Sequence, residues 1–187
     1  MKRRTTIPMP RIEGDWLPLT GLRGMDLYEA VARSMLALGD PDHWDLLPSL
    51  GLVYNDDREQ VCMVVELPIP AHIWAEAEHP INVVRWLTNT IDGDPTHPDF
   101  DKDGSLAAVW LVVEAWMSER PTDMDAEDAP RPSEDPNRVE QRLCLVVGPD
   151  ANGYASLARG STEVVMNDGA DGRMIRALHK LLEAMTR

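Results

Sequence analysis

Apolar and polar positions alternate along several short segments of this chain, and a period of two predicts β-strands. The predicted strands are Leu52–Tyr54, Gln60–Leu67, Leu106–Met117, Glu140–Val147, Tyr154–Ala158 and Glu163–Met166. Asn55–Arg58 follows the first strand and predicts a hairpin, and Asn152-Gly153 predicts a two-residue turn ahead of the fifth. Leu106–Met117 is also compatible with a buried helix, because the period of a continuous apolar run does not separate the two.

A helical period of about 3.6 residues appears in four further segments. They are roughly 25–39, 71–79, 81–91 and 172–185, and Pro80 separates the second from the third. After the first helix the elements follow the order β-β-α-β-β-β-α, in which hairpins predominate. This order predicts an α+β fold with a mostly antiparallel sheet of about five strands and helices packed on one face.

Residues 118–138 form an acidic, proline-rich run between the two most apolar predicted strands. Such a run buries too little apolar surface to offset its ordering entropy, so we expect a mobile, negatively charged loop between two central strands. Residues 1–23 contain Pro8, Pro10 and Pro18 and predict an irregular N-terminal arm. The remainder, 24–187, is long enough for a single domain with its own core.

The chain of 187 residues carries 18 Lys and Arg against 32 Asp and Glu, which gives a formal net charge of −14. This charge repels phosphate backbones and anionic membranes, so it disfavours direct binding to nucleic acid or membrane and favours a partner with a basic surface. Cys62 and Cys144 lie in apolar runs, which predicts reduced core thiols in a cytoplasmic protein.

The predicted strands collect charged and indole side chains on one mixed face of the sheet. These side chains are Glu66, Trp110, Glu114, Trp116 and Arg142. An antiparallel register that pairs Met117 with Val139 sets Glu114 directly opposite Arg142. Three interpretations follow: an ordinary cross-strand ion pair, a docking surface with two tryptophan anchors, or a desolvated Glu114 that acts as a general acid or base.

Asp99, Asp101 and Asp103, followed by Gly104, match the first half of an EF-hand calcium loop. The twelfth position of that motif needs a bidentate acid, and Trp110 stands there instead. Turn chemistry accounts for such a run, and weak binding of a divalent cation such as calcium is the alternative. No other cofactor is predicted.

His72, Glu76 and His79 share one predicted helical face, but no fourth zinc ligand accompanies them, so we expect an exposed helix edge. The sequence holds no nucleophile elbow, phosphate-binding loop or dinucleotide fingerprint. These observations favour a protein without catalytic activity.

We therefore expect a small acidic binding protein that acts by contact with another protein. Its predicted contact residues are Trp110, Glu114, Trp116 and Arg142 on the sheet and Asp123, Asp125, Glu127 and Asp128 in the acidic loop. A specific form is an inhibitor or adaptor that covers a basic, nucleic-acid-handling surface. The alternatives are a subunit of a homo-oligomeric or multi-subunit structural assembly, and a metal-assisted enzyme that uses the 99–103 loop or Glu114.

Overall fold

The computed structural model describes residues 15–17, 22–38, 43–56, 61–92, 105–117, 136, 138–168 and 172–187. The strands are β1 (Asp15–Leu17), β2 (Ser49–Asp56), β3 (Val61–Glu66), β4 (Leu106–Met117), β5 (Val139–Val147), β6 (Asn152–Ala158) and β7 (Val164–Asp168). The helices are α1 (Gly24–Leu38), α2 (Ala71–Glu76), α3 (Pro80–Asp92) and α4 (Arg173–Met185). The predicted acidic loop 118–138 lies outside the described residues, apart from Pro136 and Arg138.

The strands form one sheet in the order β1-β3-β2-β4-β5-β6-β7, and each neighbouring pair is antiparallel. The predicted α+β class with a mostly antiparallel sheet is therefore confirmed. Leu106–Met117 is a strand and not a helix, since β2 and β5 pair with it on either side. The sheet has seven strands and not the roughly five expected from the element order. Asp15–Leu17 of the predicted arm pairs with β3 at one edge, and β7 pairs with β6 at the other.

The turn between β5 and β6 lies at Gly148–Ala151 and not at Asn152-Gly153, so that prediction was wrong. The Gly148 N–H donates to the Ala151 carbonyl at 2.9 Å, and Gly153 pairs with Val146 inside the ladder. Pro149 explains the shift, because its fixed φ suits a turn and it has no N–H to give to a strand ladder.

The sheet is covered on both faces. Helices α2, α3 and α4 share one face, as predicted, and pack on alternate residues of β4 and β5 such as Leu111 and Leu145. Helix α1 instead packs on the opposite face, where Val31 and Leu36 join a core that contains Cys144 and Val146. Helix α1 can pack on this face because the central positions of the face are apolar. The charged residues Glu114 and Arg142 lie towards the end of β4 and the start of β5. None of the described helices is long and apolar enough to cross a membrane.

Candidate functional site

Glu114 on β4 and Arg142 on β5 form a buried ion pair. The register pairs Met117 with Val139 and Glu114 with Arg142, as the alternation predicts. Arg142 donates from Nε and Nη2 to the Oε1 atom of Glu114, at 3.1 and 2.9 Å. The side chains of Arg142 and Glu114 are only 2% and 11% exposed, so this is not a solvated surface pair.

The same ion pair holds residues 43–48 of the chain against the sheet. The Oε2 atom of Glu114 accepts hydrogen bonds from the backbone N–H groups of Asp45 and Leu46, at 2.7 and 3.2 Å. Arg142 Nη2 also donates to the carbonyl of His43. Asp45 adopts a left-handed backbone with φ of 66°, a conformation that Asp tolerates better than most residues. The connection after α1 is thus tied to the charged ends of β4 and β5.

The ring of Trp44 lies close to two guanidinium groups. Its ring centroid is 5.0 Å from the Arg142 guanidinium carbon and 5.5 Å from that of Arg159, both within cation–π range. Arg159 in turn donates from Nη1 to Glu140, and this hydrogen bond raises the pKa of Arg159. We call Trp44, Asp45, Glu114, Glu140, Arg142 and Arg159 the Glu114–Arg142 cluster.

Large apolar side chains are exposed beside this cluster. Trp116, Leu46 and Leu47 are 43%, 42% and 50% exposed. Trp116 follows Glu114 by two positions and shares its face of β4, and the backbone of Leu46 is bonded to Glu114. The Arg138 guanidinium lies 4.6 Å from the Trp116 ring centroid. We call Leu46, Leu47, Trp116 and Arg138 the Trp116 surface.

The structure brings Glu114, Trp116 and Arg142 together but removes Trp110 from the surface. Trp110 is almost completely buried, and its ring lies across Gly51 on the neighbouring strand β2. The missing side chain at Gly51 leaves room for the indole, so Trp110 is a core residue and not an accessible contact. Gly51 pairs with Glu66 on its other neighbouring strand, β3. Desolvation raises the pKa of the Glu66 carboxyl.

Sequence reasoning missed Trp44, Leu46 and Leu47 as members of the site. The only available signal was a short apolar group between Pro41 and Pro48. Nothing in that group indicates contact with Glu114, which lies 69 residues after Asp45.

One group of three acids in the described part of the chain brings its carboxylate oxygens within 4.8 Å of one another. It comprises Asp45, Glu114 and Glu140, and the guanidinium groups of Arg142 and Arg159 already balance two of these charges. The cluster is therefore built as an ion-pair network. Hydrogen-bond donors also face both oxygens of Glu114. This arrangement stabilises the ionised carboxylate, which accepts hydrogen bonds, and not the protonated form that a general acid needs.

The other predicted site residues fall into two groups. Asp99, Asp101 and Asp103, like Asp123, Asp125, Glu127 and Asp128, lie outside the described residues. His72, Glu76 and His79 are exposed, as expected for a helix edge.

The arrangement can present apolar side chains to another molecule from a rigid support. Strands β4 and β5 fix the Glu114–Arg142 pair, and the pair fixes the 43–48 segment. The exposed indole of Trp116 and the exposed leucines lie beside the pair.

No protein-family model, curated protein or solved structure matches this chain.

Proposed function

We propose that this protein acts without catalysis, by binding another protein through the Trp116 surface. The observation that carries the proposal is the exposure of Trp116, Leu46 and Leu47 around one buried ion pair. Tryptophan is among the residues that contribute most binding energy at protein interfaces. A support held by buried hydrogen bonds loses little conformational entropy on binding, which favours affinity.

The net charge supports a partner with a basic surface. At −14 the chain attracts cationic proteins over long range and repels phosphate backbones. Carboxylates can then occupy places that phosphates would take on the partner, so an inhibitor or adaptor of a nucleic-acid-handling protein is the specific form that we favour. The two buried free cysteines fit a reducing compartment and therefore a cytoplasmic location.

The two alternatives have less support. A second copy of the chain could cover the Trp116 surface, but two chains of charge −14 repel each other. An enzyme that uses Glu114 would need an oxygen free for proton transfer, and Arg142 and backbone N–H groups engage both oxygens. A metal-assisted enzyme could instead use the 99–103 loop, whose three aspartates offer oxygen ligands.

Three variants test the proposal. Trp116→Ala and Leu47→Asp alter the Trp116 surface, whereas Val165→Asp changes an equally exposed apolar residue on β7, three strands away from β4. Proteins retained from a lysate of the native source at low salt would be purified and titrated with each variant. We expect Trp116→Ala to weaken binding about thirtyfold, which corresponds to loss of an interface hot spot. Val165→Asp should bind like the wild type.

Two results would contradict the proposal. The first is a purified partner that binds Trp116→Ala and Leu47→Asp as tightly as the wild type. The second is recovery of the chain alone, with sedimentation showing an oligomer that Trp116→Ala dissociates; that outcome would favour the structural assembly. Binding that persists undiminished at high salt would contradict the electrostatic part, because exposed charge attraction is screened by salt.

A further inference from the structure

Helices α3 and α4 enclose a groove of about 360 Å³ that is lined mainly by cations. It lies on the face of the sheet opposite α1 and therefore away from the Trp116 surface. The polar and charged residues that line it are Arg85, Thr88, Asn89, Arg173, Arg176 and Lys180. Among the described residues that line it there is no acidic side chain, although the chain as a whole carries a charge of −14.

The three α4 cations lie along one side of that helix. Arg173, Arg176 and Lys180 are spaced by three and four residues, so their side chains follow one another over two turns, about 10 Å. Arg85 on α3 faces the same groove, and Asn89 adds an amide that can donate hydrogen bonds. The groove thus offers several cationic hydrogen-bond donors to a ligand that extends along it.

This arrangement works against the stability of α4 when the groove is empty. Like charges three or four residues apart on a helix repel each other. Arg173 also lies in the first turn, at the positive end of the helix dipole, and that turn itself contains no acidic residue. No ion pair joins Arg85, Arg173 or Lys180 to another described residue. An anion in the groove would relieve both the repulsion and the unfavourable dipole interaction.

We propose that the α3–α4 groove binds a small ligand that carries two or more phosphate groups. Arginine and lysine are the residues that bind phosphate, and an extended row of them suits more than one phosphate group. The volume lies within the range of small-molecule sites. A long nucleic acid fits less well, because its phosphates beyond the groove would be repelled by the net charge of the chain, which is −14.

The test uses the full chain, with inorganic pyrophosphate and inorganic phosphate as probes in calorimetric titration and thermal unfolding. We expect saturable pyrophosphate binding with a Kd of about 1 mM or tighter, at least roughly tenfold tighter than phosphate. Bound pyrophosphate should raise Tm. The double variant Arg173→Gln/Lys180→Gln should bind pyrophosphate at least about tenfold more weakly, because it loses two charge-assisted contacts.

The double variant has a second readout that a merely structural role would not produce. Because it removes repulsion on α4, its own Tm should equal or exceed that of the unliganded wild type. Arg187→Gln is the matched control: this exposed cation follows α4, pairs with Asp92 and does not line the groove, so pyrophosphate binding should be unchanged.

Several results would overturn this inference. They are absence of saturable binding up to about 10 mM pyrophosphate, undiminished binding by the double variant, and an equal rise in Tm from sodium chloride at matched ionic strength. Tighter binding of a single-stranded oligonucleotide at the same residues would replace the small ligand with nucleic acid. Trp116→Ala should leave pyrophosphate binding unchanged, so this test succeeds or fails independently of the proposed protein contact.

Discussion

Glu114 and Arg142 face each other across β4 and β5, and their ion pair anchors a segment that is remote in sequence. Arg142 reaches the carbonyl of His43, 99 residues earlier, and Glu114 accepts the N–H of Asp45, 69 residues earlier. Burial makes the pair sensitive to loss of either member, because a single remaining charge would have no compensation. The sequence alone is compatible with an ordinary cross-strand ion pair. In the structure, this pair supports the exposed Trp116 surface.

Replacing Glu114 by Ala should lower the free energy of unfolding by about 3–5 kcal/mol, because Arg142 would stay buried without its counter-ion. Urea denaturation of the purified variant measures this loss. The double variant Glu114→Ala/Arg142→Met should recover part of it, since no unpaired charge remains. A loss below about 1 kcal/mol for the single variant would instead indicate that the pair is solvated.

Gly51→Ala should destabilise the protein by about 1–3 kcal/mol or more, as overpacking in a core does. A methyl group at Gly51 would overlap the backbone carbonyl of Val65 and the ring of Trp110, and neither can move without shifting β3 or β4. Gly153→Ala is the control, because its methyl group would meet the flexible end of Met25 at 3.0 Å and the Asn167 carbonyl at an ordinary contact distance of 3.5 Å. Equal urea midpoints for the two variants would contradict the packing of Trp110 over Gly51.

Both cysteines should be unreactive in the native protein. Burial raises the pKa of Cys62 to about 11 and that of Cys144 further, so neither forms the reactive thiolate at neutral pH. An Ellman titration should find no rapidly reacting thiol in buffer and two in concentrated denaturant. A native thiol that reacts within seconds would show that one of these strands opens readily.

Glu66→Gln should stabilise the protein at neutral pH more than at acidic pH. Desolvation raises the pKa of Glu66 above its ordinary value of 4.5, so the folded state holds this proton more tightly than the unfolded state. The carboxyl therefore reduces stability as the pH rises from about 4.5 through the folded pKa, and the full penalty remains above it. Urea unfolding of both proteins at about pH 4 and pH 7 measures the difference. An equal effect at both pH values would mean that Glu66 is fully hydrated in the folded state.

The alternation of apolar and polar residues predicted the central strands and a register for them, but it left Leu106–Met117 open between strand and buried helix until the pairing with β2 and β5 decided it. In β4 and β5 a one-residue slip would move every apolar side chain to the wrong face, and the register that sets Glu114 opposite Arg142 is one that keeps the faces matched. The turn before β6 was misplaced because Asn152-Gly153 is a strong local signal, whereas Pro149 and the ladder of β5 decide where the strand ends.

The sequence by itself determined the antiparallel α+β class, the faces of the central strands and the acidic charge, because these depend on local period and composition. Only the tertiary structure decided that α1 covers the mixed face, that Trp110 is buried over Gly51 and that residues 43–48 close over the ion pair. It also placed Arg85 across the groove from the cations of α4. These features depend on contacts between residues distant in sequence, where packing volume and desolvation of the whole molecule select one arrangement among many that the local pattern permits.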